Sequence, residues 1–263
     1  MISKSDSPPR ELRMVLSAAN GGDDGQVLRH SDGSGPDGPA VNAELARASI
    51  FQEVGPDAFA AALTQLDWVS FPQRHNVFRE GDAGDRLYII TAGRVKVACT
   101  TRHSDSLIAV LGPSDVFGEL ALLDPGPRTS TVTTITAVRA ATMTRPALLS
   151  WIRQEPQAAE QMLRVLARRL RRTNNKLCDQ TFNDVPGRLA TLLLDLANRF
   201  GESDNGTLRI DHQLNQNELA QLAGSTRESA NKALASFVDR GWIRVQGKVI
   251  SIVDPAALAR RAR

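Results

Sequence analysis

The stretch of sequence that decides the fold is QNELAQLAGSTRESANKAL, from Gln216 to Leu234. Asn215 stands just before it, and Glu218 follows Asn215 by three residues, the spacing of a helix N-cap and its capping-box partner. Gly224 comes where a turn needs a left-handed backbone, and Thr226 can cap a second helix. Helix, turn and helix in this order predict a helix-turn-helix, a motif that can place its second helix in the major groove of DNA.

The second helix of this motif carries a polar face that is suited to reading base edges. An arginine there can donate two hydrogen bonds to guanine, and a glutamate can accept one from cytosine. The residues that we expect to contact DNA from this helix and its start are Thr226, Arg227, Glu228, Asn231 and Lys232. Gln216 and Asn217, at the start of the first helix, can bond phosphates. The alternative is a helical hairpin used for protein contacts, and the coincidence of cap, turn and polar face favours DNA binding.

Upstream of this motif the apolar pattern consists of short runs. They span residues 68–71, 86–90, 94–97, 107–111 and 131–138, and glycine or proline stands between them. Runs of this kind predict β-strands. Many short strands that do not alternate with helices predict a β-roll and argue against a doubly wound nucleotide-binding fold.

The pattern divides the chain into four segments and predicts an α+β fold class. Residues 1–40 hold too little apolar surface to fold and are predicted to be a disordered extension. We expect a β-roll domain over residues 41–155, a long helix over 156–182 and a winged helix-turn-helix over 183–263. A hairpin from Trp242 to Ile250 supplies the predicted wing, with Lys248 near the DNA backbone.

The predicted long helix carries a coiled-coil seam. Apolar residues recur along it in steps of three and four, and Thr173 occupies one of the repeated positions. The predicted dimer interface consists of Leu163, Leu166, Leu170, Thr173 and Leu177. A helix about 40 Å long with so narrow an apolar stripe favours pairing with a second copy of the chain. The alternative is a helix that packs on its own β-domain.

A second constellation predicts an anion-binding loop. The sequence runs Phe117-Gly118-Glu119-Leu120, and a loop from Pro125 to Ser130 follows. Backbone N–H groups in such a loop can surround a phosphate, and Arg128 can supply a fork-shaped cation. Glu119 is suited to accept a hydrogen bond from a ribose hydroxyl. An ion pair that braces a loop is the simpler explanation, but the position within a predicted β-roll favours a ligand site.

Together these stretches resemble the CRP/FNR family of bacterial regulators, and most closely its actinobacterial cyclic-AMP receptor proteins. The resemblance covers roughly residues 41–263 and rests on Gly112–Leu120, Pro125–Ser130, Leu163–Lys176 and Arg227–Glu228. It implies that ribose and cyclic phosphate are bound by the first loop and the anion loop, at Gly118, Glu119, Leu120, Arg128 and Thr129. It also implies that Arg169, Thr173 and Asn174 approach the ligand, with adenine contacted from both subunits of a dimer.

Two residues depart from the best-known enterobacterial member of that family. Asn174 replaces a serine, which leaves the selectivity for the purine open. Lys232 replaces an arginine, which keeps the charge but loses bidentate geometry, so the base preference at that position stays open.

Composition limits the remaining classes of protein. The 263 residues carry a net charge of +3, which permits nucleic-acid binding without requiring it. No apolar run approaches the ~20 residues that span a bilayer, so no membrane partner is expected. Only Cys99 and Cys178 occur, far apart, which argues against disulfides and a structural metal and favours a reducing cytoplasm. No nucleophile–base pair or phosphate-transfer loop supports an enzyme.

The sequence therefore predicts a homodimeric transcription factor controlled by a cyclic nucleotide, with cyclic AMP (cAMP) favoured over cyclic GMP (cGMP). Its expected partners are double-stranded DNA with a TGTGA-like palindrome, a second copy of itself and RNA polymerase. In one alternative the pocket only weakly modulates DNA binding. In another the same fold senses redox through Cys99 or Cys178, or gas through haem held by His75 or His103.

Overall fold

The computed structural model describes residues 28–30, 38–100, 105–204 and 207–262. The N-terminal part contains β1 (Leu28–His30), α1 (Gly38–Arg47), α2 (Pro56–Leu63), β2 (Asp67–Phe71), β3 (Asn76–Phe78), β4 (Arg86–Ala92), β5 (Val95–Thr100), β6 (Asp105–Leu111), β7 (Val116–Phe117), α3 (Leu120–Leu123), β8 (Thr131–Thr134), β9 (Val138–Thr144) and α4 (Arg145–Gln154). The C-terminal part contains α5 (Pro156–Phe182), α6 (Val185–Phe200), β10 (Glu202–Asp204), β11 (Thr207–Asp211), α7 (Gln216–Leu222), α8 (Arg227–Asp239), β12 (Ile243–Gln246), β13 (Val249–Ile252) and α9 (Pro255–Arg261).

The predicted β-roll is confirmed as two facing sheets. One has the strand order β1-β2-β9-β4-β7 and the other β3-β8-β5-β6. The alternating pattern of the strands points one face of each sheet inward, where Phe71, Ile90, Val95 and Val132 share a buried core. The loop between β7 and β8 carries the predicted anion site at one end of this roll.

The predicted strand over residues 131–138 is in fact two strands that belong to different sheets. β8 pairs with β5, whereas β9 pairs with β2 and β4. Between them the backbone N–H groups of Ile135 and Thr136 both donate to the carbonyl of Arg94, which turns the chain from one sheet to the other. Because that carbonyl is distant in sequence, hydrophobic periodicity could not reveal the break.

The prediction of disorder over residues 1–40 is wrong for two short pieces. Leu28–His30 pairs antiparallel with β2, and α1 begins at Gly38. Without β1, strand β2 would be the edge of its sheet and would present unpaired backbone groups, with which a short segment can pair through its main chain. Residues 1–27 and 31–37 lie outside the described residues.

The long helix α5 has the same bounds as the predicted one. Ala158 and Met162 in its first half join α4 and the strands of the β-roll in one core, and Val165 is buried as well. The chain then turns at Asn183, and Asp184 caps α6 by accepting a hydrogen bond from the backbone N–H of Gly187 at 3.0 Å. The predicted break after α5 is therefore a capped junction between two helices.

The winged helix-turn-helix is confirmed, and local chemistry explains it. The Asn215 side chain accepts from the Glu218 backbone while Glu218 accepts from the Asn215 backbone, so the capping box is reciprocal. Gly224 has φ of +60°, which permits the turn, and Thr226 caps α8. β12 and β13 form the wing hairpin and join β10 and β11 in one sheet.

The C-terminal part packs on the edge of the β-roll. Strand β6 lies at a sheet edge, and side chains from three helices bond its outward backbone groups. Lys176 of α5 donates to the Ile108 carbonyl at 2.8 Å, and Arg199 of α6 donates to the Val110 carbonyl at 2.9 Å. Gln221 of α7 accepts from the Leu107 backbone N–H at 3.2 Å. The winged helix-turn-helix unit, together with Lys176 of α5, thus covers an edge that would otherwise be open to pairing.

Charged and aromatic contacts extend this packing. Lys96 of β5 forms a 2.6 Å ion pair with Glu218, the capping-box residue of α7. Phe200, at the end of α6, lies so close to Gly112 that a Cβ there would be 2.5 Å from its ring. The guanidinium groups of Arg94 and Arg199 both lie over this ring.

A buried histidine, His212, lies shortly before α7 and makes the stability of the winged helix-turn-helix unit sensitive to acidic pH. Burial lowers the pKa of His212 below its ordinary value of 6.5, and nearby Lys248 and Arg94 act in the same direction, while Asp211 and Glu218 oppose them. Its Nδ1 accepts from the Leu214 backbone at 3.1 Å, which requires an unprotonated nitrogen. The folded state therefore favours neutral His212, and this stabilisation is complete above pH 6.5.

As the pH falls below that value, the unfolded state gains a proton that the folded state resists, so stability declines. We expect His212→Asn, which keeps an acceptor in this place, to lose less stability than the native chain between pH 7.5 and pH 5.5. Thermal unfolding midpoints at the two pH values measure this. Equal losses in the two proteins would contradict the assignment.

Candidate ligand and DNA-binding sites

A cavity of about 610 Å³ lies between the β-roll and α5 and extends to α6. The β-roll wall contains the predicted residues Gly118, Glu119, Leu120, Arg128 and Thr129, and the α5 wall contains Arg169 and Thr173. The fold therefore brings together two stretches that are about 40 residues apart in sequence. The volume lies in the range typical of small-molecule sites.

The carboxylate of Glu119 is fully buried in this cavity wall. Its Oε1 accepts a hydrogen bond from the guanidinium of Arg169 on α5, which also donates to the Val116 carbonyl at 2.7 Å. A buried carboxylate needs a cation or several donors to remain charged. Its second oxygen, Oε2, is also buried and has no hydrogen-bond partner among the described residues.

Arg128 is buried opposite this carboxylate and is held in a fixed orientation. It donates to the carbonyls of Gly118 and Arg86, both at 2.8 Å, and its guanidinium lies 4.2 Å from the ring centroid of Phe78. Burial lowers the pKa of Arg128, although an arginine stays charged at neutral pH. Its Nε is buried without a partner among the described residues.

Gly118 is the residue that allows this arrangement. Its φ of +79° lies in the left-handed region, and a Cβ there would lie 2.8 Å from Nη1 of Arg128. Any side chain at this position would displace the arginine or strain the loop. The glycine that the sequence placed beside Glu119 therefore has a definite steric role.

Among the predicted ligand residues, Asn174 does not line the cavity of its own subunit. It is exposed on α5, whereas its neighbour Thr173 lines the cavity and donates to the Arg169 carbonyl at 3.1 Å. A helix turns by about 100° per residue, so adjacent positions face different surroundings. Asn174 instead lies beside the predicted dimer seam.

Three cations that the sequence prediction omitted also line the cavity. They are Arg172 and Lys176 on α5 and Arg199 on α6. Spacing could have indicated Arg172, because it follows Val165 by seven residues and so belongs to the face of α5 that meets the β-roll.

The predicted base-reading residues share one exposed face of α8. Arg227, Glu228, Asn231 and Lys232 are all exposed. The opposite face consists of Ala230, Ala233, Leu234 and Phe237, which are buried against the rest of the unit. This division leaves the polar side chains able to enter a groove without unpacking the core.

The other predicted DNA contacts are placed less uniformly. Asn217 is exposed, and Thr226 is exposed at the N-terminus of α8, where its hydroxyl caps the helix. The Gln216 side-chain oxygen is buried without a partner among the described residues. Lys248, in the wing, donates to the Gln213 carbonyl at 3.1 Å. Lys248 is exposed and keeps two further N–H donors for a phosphate, and Gln216 can donate through its side-chain amide nitrogen.

The predicted dimer seam is open to solvent in the single subunit. The side chains of Leu163, Leu170 and Leu177 are 66%, 62% and 58% exposed, whereas Leu166 is half-buried and Thr173 is exposed. Three large apolar residues at seven-residue intervals form one stripe along α5.

Family models match both halves of the chain. A cyclic nucleotide-binding domain matches residues 68–155, and a Crp-like helix-turn-helix domain matches residues 187–261. The CRP-like cAMP-activated global transcriptional regulator of Mycobacterium tuberculosis is 58% identical over 220 residues, which is 83% of this chain and 98% of that protein.

The chain belongs to the CRP/FNR family of transcriptional regulators.

Other members of the CRP/FNR family agree with this assignment. The cyclic AMP receptor protein of Thermus thermophilus is 30% identical and is matched over 80% of this chain and 94% of its own length. The structure of FixK2 from Bradyrhizobium japonicum matches with a TM-score of 0.67 at 19% identity, over 75% of this chain and 98% of that one. That likeness concerns the fold. As a CRP/FNR member, the chain is a DNA-binding transcriptional regulator with a cyclic nucleotide-binding domain, and the family is not one of enzymes.

The residues of the two alternative sensor hypotheses are scattered. Cys99 lines the cavity, where burial raises the pKa of its thiol, while Cys178 is exposed on α5. His75 stacks on Phe71, and His103 lies outside the described residues. Within the described ranges, no cluster of three or more histidine, cysteine or acidic side chains is placed to hold a metal ion. Nor does any helix there have the length and apolar character needed to cross a bilayer.

Proposed function

We propose that the protein is a homodimeric transcription factor whose DNA binding is controlled by a cyclic nucleotide, with cAMP favoured over cGMP. The observation that carries this proposal is a pair of buried polar atoms without partners in one cavity, Oε2 of Glu119 and Nε of Arg128. One is an acceptor and the other a donor. A ribose hydroxyl can satisfy the first, and an anionic phosphate oxygen can satisfy the second.

The proposal explains why these two atoms are buried without hydrogen bonds. An unsatisfied buried polar group costs about 1–3 kcal/mol, and more when it is charged. A cyclic nucleotide brings both a hydroxyl and a phosphate within one rigid ring system, so one ligand can relieve both costs. The neighbouring Thr129 lines the same cavity and adds a further donor. The name of the M. tuberculosis relative, a cAMP-activated regulator, supports cAMP as that ligand.

The proposed dimer forms along α5. Burying the stripe of Leu163, Leu170 and Leu177 in both copies removes a large apolar surface from water. Pairing also brings Asn174 of each copy beside the seam, from which we expect it to reach the base of the nucleotide in the other subunit. The ligand would then be read by both subunits at once.

A chain of contacts supports coupling between the ligand and the recognition helix. Glu119 is bonded to Arg169 on α5, and at the far end of α5 the side chain of Gln180 contacts the turn at Gly224. Arg188 of α6 donates to the carbonyls of Asn183, Ala223 and Gly224, at 2.5, 2.9 and 2.9 Å, so it joins the helix junction to the same turn.

A shift of one α5 against its partner would therefore move the start of α8 in each subunit. Two recognition helices must lie about 34 Å apart to enter successive major grooves, so a small shift changes affinity for a palindrome. The ligand must bind the two dimer states unequally for this to operate. In this scheme Arg227 and Glu228 read a TGTGA-like half-site, RNA polymerase is the further partner, and the protein acts in the cytoplasm.

Removal of the phosphate-binding cation tests the ligand site. We expect Arg128→Ala to weaken cAMP binding at least about 100-fold, because charge-assisted bonds to the phosphate are lost. Isothermal calorimetry measures this, with Arg79→Ala, an exposed arginine outside the cavity, as the control. Arg128→Lys, which keeps the charge, should lie between the two and guards against a folding defect. Unchanged affinity in folded Arg128→Ala would refute the pocket assignment.

Removal of the leading base-reading residue tests the DNA site. Arg227→Ala should reduce the preference for a TGTGA-containing duplex over a scrambled duplex by about 5- to 100-fold, the worth of one bidentate base contact. Salt-dependent binding to the scrambled duplex should persist, because phosphate contacts do not depend on sequence. Fluorescence anisotropy with both duplexes at one salt concentration separates the two effects. A preference equal to that of the native chain would rule out base reading by Arg227.

A charge placed on the seam tests the dimer. Leu170→Lys should raise the dimer dissociation constant at least about 100-fold, since each copy loses roughly 1.5–3 kcal/mol of apolar burial and gains a like charge opposite its twin. Val238→Lys changes an exposed apolar residue of α8 that lies outside the seam, so it should not alter the dimer. Sedimentation equilibrium gives both masses. A native chain that sediments as a single subunit would contradict the dimer.

A further inference from the structure

Among the residues that the structure describes, five cations line the cavity, and four of them are engaged by protein groups. Arg128 donates to the carbonyls of Gly118 and Arg86. Arg169 donates to Glu119 and to the Val116 carbonyl. Lys176 donates to the Ile108 carbonyl, and Arg199 is bonded to the Val110 carbonyl and to Asp115. The fifth, Arg172, makes no hydrogen bond or ion pair with any other part of the chain that the structure describes. Its guanidinium therefore retains all five N–H donors for a ligand.

The position of Arg172 follows from the repeat of α5. Ala158, Val165 and Arg172 follow one another at seven-residue intervals and so share one face of the helix. The first two are buried, and Ala158 belongs to the core that α5 shares with the β-roll. At the position of Arg172 the cavity separates α5 from the β-roll. The earlier positions of this face hold small apolar residues, whereas this position holds an arginine. This arginine thus lies on the α5 wall of the cavity, across from Glu119 and Arg128 on the β-roll wall. We call these two residues the cradle.

This inference rests on the proposed function, because the cradle fixes the orientation of the nucleotide. With the ribose and phosphate held by Glu119 and Arg128 on the β-roll wall, the base extends towards the α5 wall. Thr173 and Arg172 lie there. We propose that Arg172 contacts the edge of the purine and determines how well the pocket accepts guanine relative to adenine.

The chemistry of the two bases gives the direction of this effect. Guanine presents two adjacent acceptors, O6 and N7, which match the paired donors of an arginine. Adenine presents the acceptor N7 beside an amino donor, which suits a side-chain amide better than a guanidinium. Arg172 therefore favours guanine, so it raises the affinity of the pocket for cGMP relative to its affinity for cAMP.

Replacement by glutamine tests the proposal, since glutamine offers one donor and one acceptor. Arg172→Gln should shift the ratio of the cGMP and cAMP dissociation constants towards cAMP by at least about 5-fold, the lower bound for a bidentate base contact. Arg172→Lys, which keeps the charge but loses the fork, should shift the ratio in the same direction. Arg171→Gln is the matched control, because Arg171 and Arg172 are adjacent and both exposed, but only Arg172 lines the cavity.

Calorimetric titration of each protein with cAMP and with cGMP at one salt concentration distinguishes the outcomes. A shift in the ratio confined to the two Arg172 variants supports the proposal. A native chain that binds cAMP, with the same ratio in Arg172→Gln, would overturn this inference and leave the proposed function standing. If the Arg171 and Arg172 variants bind both nucleotides more weakly by the same factor, the effect comes from the loss of one positive charge at any place on this helix. That result would also overturn the inference. A native chain that binds neither nucleotide would overturn the proposed function together with this inference.

Discussion

The contact between Glu119 and Arg169 is the interaction on which the rest of the molecule depends. A carboxylate that is fully buried must be paired, and its partner comes from α5 and not from the β-roll. The pocket is therefore complete only when α5 lies across its mouth. The same helix exposes the leucine stripe, and it ends at the junction with α6, the first helix of the DNA-binding unit. Helix α5 therefore connects the Glu119 carboxylate both to the predicted dimer seam and to the DNA-binding unit.

The packing of the DNA-binding unit on β6 adds a second constraint. Edge strands with open backbone groups tend to pair with other chains, and here Lys176, Arg199 and Gln221 occupy those groups. Any large movement of α6 and α7 would uncover the strand, which limits the unit to small displacements. In the proposed dimer small displacements would suffice, because two recognition helices must lie about 34 Å apart to enter successive major grooves.

Much of this could be predicted from the sequence, and the remainder shows why local patterns have limits. The capping box at Asn215 and the seven-residue repeat of α5 are local signals, and both helices follow them. The ion pair of Lys96 with Glu218 and the turn at Ile135 depend on residues distant in the chain, so no periodicity indicates them. In the candidate site, Glu119 and Arg128 were recognisable as a loop pair. Arg172 lies within a basic run that is typical of a solvated helix face, so only its seven-residue spacing from Val165 distinguishes it.

The coupling between pocket and recognition helix is the central claim, and one comparison tests it most directly. The affinity of the native protein for a palindromic TGTGA-containing duplex is measured at one salt concentration, first without and then with saturating cAMP. The account predicts tighter binding with cAMP, and no such gain in a protein with the Glu119–Arg169 contact removed by Arg169→Ala. Equal affinity of the native protein in the two conditions would contradict the account.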